Sequence, residues 1–235
     1  MPKGEAIAAK PAARASGPDL EGAAVFIPKD VTLAQLPIVA QSCRGCGLFS
    51  HATQTVCGEG PRSSAIMFVG EQPGDQEDRQ GRPFVGPAGR ILATALEEAG
   101  IDRSRVYVTN AVKHFKFEER GKRRLHKRPN AAEIKACRPW LETEVGLVEP
   151  QAIVCLGVTA AQSVLGNKYR QTIERAAFVR HPWAPHVAWT IHPSAILRAR
   201  EPEMRHIEQE RFVADLAALR EALSSSTAAK PGLQR

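Results

Sequence analysis

The 235-residue chain has no apolar run approaching the roughly 20 residues needed to cross a bilayer. Its N-terminal stretch MPKGEAIAAKPAARASGPD also lacks the apolar centre of a secretory signal, so a cytoplasmic location is expected. That Ala/Pro/Lys composition reads as a disordered extension over residues 1–21, and the closing residues 225–235 read as a flexible tail. Cysteine is scarce, with five in the chain. Without a secretory signal, this argues against a disulfide scaffold and for thiols that bind metal or do chemistry. There is no GxGxxG and no GK[ST], which sets aside dinucleotide and P-loop chemistry. No internal repeat or domain boundary is visible, so residues 22–224 are expected to form one domain. Negative charge is in deficit, with 25 Asp and Glu against 32 Lys and Arg, which favours an anionic partner.

Most of the excess positive charge sits in one place. Residues 113–128, KHFKFEERGKRRLHKR, hold eight Lys or Arg against two Glu, or +6 of the chain's +7. Such a run points to a polyanion, most commonly nucleic acid. His126 lies within it, and like charges nearby disfavour a protonated imidazole. Lys122, Arg123, Arg124, Lys127 and Arg128 are therefore expected to keep His126 neutral.

The hydrophobic pattern alternates strands with helices. Strands are expected at 65–69, 106–110, 152–157, 177–180 and 187–191. Helices are expected at 32–42, with Pro37 against it, at 87–100, from Asn130 to Val148, over TAAQSVL, and at 203–223. The order implies an α/β fold with a mainly parallel sheet. Ligands of such sheets sit beyond the carboxyl ends of the strands. That rule selects Glu71, Gln72, Asn110, His181 and His192, and it hangs the basic loop 111–129 over the same mouth.

Each candidate also has a plainer reading. Cys43 and Cys46 form a CxxC, while Cys137 and Cys155 stand alone with 17 residues between them. Four thiolates would suit zinc or a [4Fe–4S] cluster, and spacing alone leaves the metal open. Cys137 and Cys155 could equally be buried apolar residues, and Cys57 reads as a bystander. Glu71, Asp75, Glu77 and Asp78 crowd one loop. In a basic chain, acids at the sheet mouth suit catalysis better than phosphate binding, though a solvated loop would look the same. Phe84 in that loop could stack on a base or serve as a small apolar anchor. Asn110 and His192 could read a ligand or cap the backbone.

The segments GEQPGDQEDRQGRPFVGPAGRIL, VYVTNAVKHFKFE, KRRLHKRP and HPSAILR, with four of the cysteines, resemble the uracil-DNA glycosylase superfamily. They are most similar to its iron–sulfur family 4 branch, and the GEQPG form and KRRLHKRP loop are those of the UdgX type. The likeness runs from about Cys43 to the final helix. It implies a three-layer α/β/α fold, a [4Fe–4S] cluster on Cys43, Cys46, Cys137 and Cys155, and excision of uracil from DNA. It further implies a covalent link from His126 to the abasic sugar. Gly70, Gln72, Phe84 and Asn110 would hold the uracil, with His192 near its O2. Glu71, and after it Asp75, would act at the sugar. Lys113, Lys122, Arg123, Arg124, Lys127 and Arg128 would hold the DNA. An ordinary turnover glycosylase using the basic loop as a clamp is the alternative. A non-catalytic DNA-binding module is a third reading, and a monomer is the default state.

Overall fold

The computed structural model describes residues 22–167, 169 and 173–228. The expected N-terminal extension and the last seven residues of the tail lie outside the described residues. Five strands form the central sheet in the order β2-β1-β5-β7-β6. They are β1 (Ile66–Gly70), β2 (Val106–Asn110), β5 (Ala152–Leu156), β7 (Ala184–Thr190) and β6 (Val179–His181). All pairings are parallel except that of β6, which runs antiparallel to β7. Two further strands, β3 (Phe117–Arg120) and β4 (Arg123–His126), form a separate antiparallel hairpin.

Period-two alternation along the strands builds a core on each face of the sheet. Met67, Val69, Tyr107, Ile153, Cys155 and Val187 point to one face. There they meet Leu141, Val145 and Val148 of α4 (Ala131–Val148) and Ala160, Ala161 and Val164 of α5 (Val158–Leu165). Phe68, Val106, Val108, Val154, Leu156 and Ala188 point to the other face. They are covered by α3 (Pro87–Glu98), by Ile196 of α6 (Pro193–Arg198), and by Phe212, Leu216 and Leu219 of α7 (Pro202–Ala228). The architecture is therefore three-layer α/β/α. Each fully buried leucine or phenylalanine contributes about 1.5–3 kcal/mol to holding the layers together. Among the described residues, no helix is long and apolar enough to cross a membrane.

Local signals set most helix ends. Pro87 opens α3, and Gly100, at φ 71°, follows its end. Asn130 and Glu133 exchange hydrogen bonds of 2.9 and 2.7 Å, a capping box that starts α4. The helix expected over 32–42 is shorter. Pro37 sits in the first turn of α1 (Leu36–Val39), which tightens into a 3-10 turn over Ala40–Ser42. A second short helix, α2 (Asp75–Gln80), occupies the polar loop after β1. The basic segment is not a loop but the β3–β4 hairpin, turning at Gly121 with φ 60°. Its charge hides the strand pattern. Phe117 stacks on Phe115 at 5.1 Å, and Glu118 and Glu119 interleave the cations.

One ion pair crosses the core. Lys113, expected on DNA, is fully buried, and its Nζ donates to Glu144 Oε2 at 2.6 Å, Thr109 Oγ1 at 2.7 Å and Asn110 O at 2.8 Å. It ties the end of β2 to α4. Replacing Glu144 by leucine should lower unfolding free energy by about 3–5 kcal/mol, because the ammonium is left buried without a counter-charge. A urea midpoint unchanged from the parent would contradict this role.

Candidate active site at the carboxyl edge of the sheet

The chain leaves β1 toward β2 on one side and later pairs β5 on the other. That switch opens a crevice at the carboxyl ends, where ligands of such sheets bind. Gly70, Glu71, Asn110, Thr159 and His192 all fall there, because each closes a strand or begins the segment that follows one.

Gly70 pairs with Asn110 in the β1–β2 register. A side-chain carbon at Gly70 would stand 2.4 Å from Asn110 Oδ1 and 2.8 Å from Phe84 Cζ. Glycine there leaves the space between the amide and the ring open. Phe84 takes a left-handed φ of 56°, an unusual conformation for a bulky residue. Buried Glu77 braces this arc, accepting the amides of Gly74 at 3.1 Å and Gly86 at 2.6 Å.

The Phe84 and His192 rings lie 6.3 Å apart, inclined by 25°. His192 caps α6, and its Nδ1 accepts the Ser194 amide at 3.1 Å. A neutral ring with Nδ1 accepting carries its proton on Nε2. Burial lowers its pKa to about 4, and Arg198 and His126 push the same way. His192 is thus a neutral donor. His181 is not at this mouth. Because β6 runs antiparallel, His181 pairs with Ala184 at the opening end of β7.

His126 ends β4 and stands with Nε2 3.4 Å from Glu71 Oε1. Its pKa is lowered, first by desolvation and also by Arg198, while Glu71 raises it. The direction matches the sequence expectation, but the cause does not. Desolvation of the half-exposed ring leads the shift, and the cation acting on it is Arg198 of α6 rather than a residue of the surrounding basic run. The other Glu71 oxygen accepts the Thr159 hydroxyl. Gln72, expected on uracil, instead stitches the feet of the hairpin. Its Nε2 donates to Lys116 O at 3.1 Å and Lys127 O at 3.0 Å and lies 2.9 Å from His126 Nε2.

The hairpin is anchored by Arg124, which was expected on DNA. Its guanidinium bonds Asp75 at 2.5 Å, buried Asp78 at 2.6 Å and Thr53 at 3.2 Å. It also lies over the Phe117 ring at 4.9 Å. Asp75 is consumed by this anchor. Burial raises its pKa, but hydrogen bonds from Arg79 and Arg124 outweigh that and hold the carboxyl below its usual range. Asp75 is therefore a strut rather than a group aimed at the crevice. Lys122 and Arg123 are exposed at the hairpin tip, Lys127 pairs with Glu118, and Arg128 reaches Thr159 at 3.0 Å.

The family model of the uracil DNA glycosylase superfamily matches residues 57–217, and these carry the whole crevice. The chain belongs to the uracil-DNA glycosylase superfamily. It is 38% identical over 171 residues to the type-4 uracil-DNA glycosylase of Thermotoga maritima, covering 72% of this chain and 85% of the relative. The type-4 enzyme of Sulfurisphaera tokodaii is 36% identical over 180 residues, covering 73% and 77%. The type-5 enzyme of Thermus thermophilus is more distant, 32% identical over 127 residues, covering 48% and 54%.

The superfamily's iron–sulfur branch directs attention to the cysteines. Cys43, Cys46, Cys57 and Cys137 share one small core beside α1 and the start of α4. Cys155, expected as a ligand, does not join them. It faces the main core from the middle of the sheet, and burial alone raises its pKa. Three sulfurs receive N–H donors, as metal-bound thiolates do. Trp140 Nε1 donates to Cys43 at 3.2 Å, the Lys113 amide donates to Cys137 at 3.2 Å, and the Leu48 amide serves Cys46. Burial pushes the Cys57 thiol up, as it does those of Cys46 and Cys137, but no N–H donor to the Cys57 sulfur is seen among the described residues. Among the described residues, no three His, Cys, Asp or Glu side chains converge on a metal position. The chemistry of the donors nonetheless fits a cluster, and it offers a fourth group that the sequence reading overlooked. His114 is buried next to Lys113 and held neutral by burial, with a pKa near 4. Its Nε2 meets Thr55 Oγ1 at 2.9 Å, and that hydroxyl donates to Ala40 O in the turn leading to Cys43. The apolar neighbours Val112 and Phe115 were the available sign that His114 turns inward.

Arg124→Ala should free the hairpin without unfolding the sheet. Losing charge-assisted bonds worth about 1.5–3 kcal/mol should speed amide exchange across β3–β4 by about ten- to a hundredfold. Unchanged protection of the Lys127 amide would show that the hairpin is held elsewhere.

Proposed function

We propose that this chain excises uracil from DNA and retains the abasic sugar on His126, as the UdgX type does. The observation that carries this reading is the neutral imidazole of His126 held 3.4 Å from Glu71 at the mouth that also presents Gly70, Phe84, Asn110 and His192. Two superfamily relatives cited above are named as type-4 uracil-DNA glycosylases.

The base must first leave the stack, at a cost of about a few kcal/mol. Exposed Lys122 and Arg123, with Lys127 and Arg128 behind them, would meet the flanking phosphates. Phe84 stacks on the uracil, a contact worth about 1–3 kcal/mol. The Asn110 amide pairs with O4 and N3–H, and Gly70 leaves room for it. Cytosine, with its donor and acceptor reversed, would leave that amide unpaired. His192 donates from Nε2 to O2, where negative charge grows as the bond breaks. The C1′–N1 bond opens, and its electron pair departs with uracil. The lone pair of a His126 ring nitrogen then forms the bond to C1′, giving an imidazolium. Glu71 stabilises the cationic sugar and ring, and the proton released from the ring balances that taken up by uracil.

The type-4 relatives favour a competing reading, in which water attacks and the enzyme turns over. Incubation with uracil-containing single-stranded DNA followed by boiling in detergent separates the two. Capture predicts a shifted band, uracil released in no more than equimolar amount, and a His126→Ser variant that loses the band but still releases uracil. Many uracils per protein with no band would contradict capture. The rate of band formation should hold from about pH 8 to below the ordinary imidazole pKa of about 6.5, then fall as His126 protonates. A fall centred at or above the ordinary value would contradict the lowered pKa.

For the cofactor, we read Cys43, Cys46, Cys137 and His114 as the residues that hold a [4Fe–4S] cluster. When bound, the cluster supplies a cross-link joining α1, the segment after β2 and α4. Each of Cys43→Ala, Cys137→Ala and His114→Ala should lower iron content and visible absorbance. Cys57→Ala and Cys155→Ala should keep both. Loss of iron in Cys155→Ala with retention in His114→Ala would reverse the assignment.

A further inference from the structure

Thr159 is almost wholly buried, lies at the start of α5, and has no part in the steps above. Its hydroxyl contacts two charged groups. Arg128 Nε donates to Oγ1 at 3.0 Å, and Oγ1 donates to Glu71 Oε2. A guanidinium can only donate. With one lone pair of the hydroxyl occupied by Arg128, its single proton is directed at the carboxylate. Arg128 is itself held by Gln162 Oε1 at 2.8 Å, one turn further along the same helix. The arrangement runs from Gln162 and Arg128 through Thr159 to Glu71, with Arg128 Nε also 3.9 Å from Glu71 Oε2, and leaves Glu71 Oε1 turned toward His126.

We propose that Thr159 is a positioning residue for Glu71, fixing which carboxylate oxygen faces the reaction centre. This rests on the reading that Glu71 acts at the sugar. A carboxylate on a strand-end side chain can rotate, and a displacement of about 1 Å at a reacting group can cost about a hundredfold in rate. One donated hydroxyl from a rigid helix start removes that freedom. Arg128 then has a second duty besides meeting phosphate: it sets the direction of the hydroxyl.

The test compares Thr159→Val, which keeps the shape and deletes the hydroxyl, with Thr159→Ser, which keeps the hydroxyl. Single-turnover uracil release is measured against DNA concentration. The valine variant should lose about ten- to a hundredfold in the saturating rate, with the half-saturating DNA concentration and the melting temperature unchanged. Serine should restore the rate. In a Glu71→Ala background, Thr159→Val should have no further effect, because its influence passes through Glu71. A saturating rate unchanged in valine, or an equal loss in the Glu71→Ala background, would overturn the proposal while leaving His126 capture standing. If wild type releases uracil but forms no adduct, capture fails and the Thr159 comparison still decides this proposal. No release by wild type would overturn both.

Discussion

The mouth of this domain depends on one guanidinium. Arg124 is largely withdrawn from water, grips Asp75 and Asp78 of α2, and lies against Phe117 of its own hairpin. A charge withdrawn in this way is tolerable only with close partners, and here two carboxylates supply them. The consequence is geometric. Without that anchor, a hairpin whose residues are mostly charged and exposed would have little to hold it against the domain. Pinned at Arg124 and stitched by Gln72, it folds back over the sheet and delivers His126 to Glu71. The acids of α2 that looked catalytic therefore do their work one step removed, by holding the element that carries the imidazole.

The electrostatics of the mouth follow from burial more than from sequence charge. His126 and His192 both have lowered pKa values, and desolvation is the leading cause for each. Arg198, on the HPSAILR segment, pushes both the same way. Two neutral imidazoles then stand in one crevice with different duties available to them. His192 has Nδ1 occupied by Ser194 and so carries its proton on Nε2, while half-exposed His126 sets its Nε2 beside Gln72 Nε2 and Glu71 Oε1. Behind them, Lys113 joins three things. Its ammonium holds the carbonyl of Asn110, its amide serves Cys137, and its charge is matched by Glu144. The strand end that carries Asn110 and the cysteine core are thus built on the same residue.

Much of this was legible in the sequence because it depends on local pattern. Short continuous apolar runs at 65–69, 106–110 and 152–157 mark the parallel strands, which are buried on both faces, and the Asn130–Glu133 box marks the start of α4. The strand-end rule brought Glu71, Asn110 and His192 to the mouth, but it also selected His181, which the antiparallel β6 carries to the other end. What escaped depends on long-range partners. Lys113 and Arg124 read as solvent cations until Glu144, Asp75 and Asp78 are brought against them by the fold. The basic hairpin read as a loop because nearly all of its residues are charged and exposed, leaving no apolar face to mark the strands. Cys155 is as apolar as its neighbours in the strand, and spacing could not distinguish it from a ligand. His114 and Thr159 carried only weak local marks, an apolar flank and a place just after a strand-to-helix glycine.

The central claim is that one particular atom set, the imidazole of His126, ends bonded to the sugar. Peptide mass spectrometry after reaction with a uracil-containing oligonucleotide, followed by nuclease and protease digestion, addresses it directly. The account predicts one modified peptide, carrying a deoxyribose remnant without the base, with fragment ions placing the added mass on His126. A remnant on any other residue, or none on a protein that has released uracil, would contradict it.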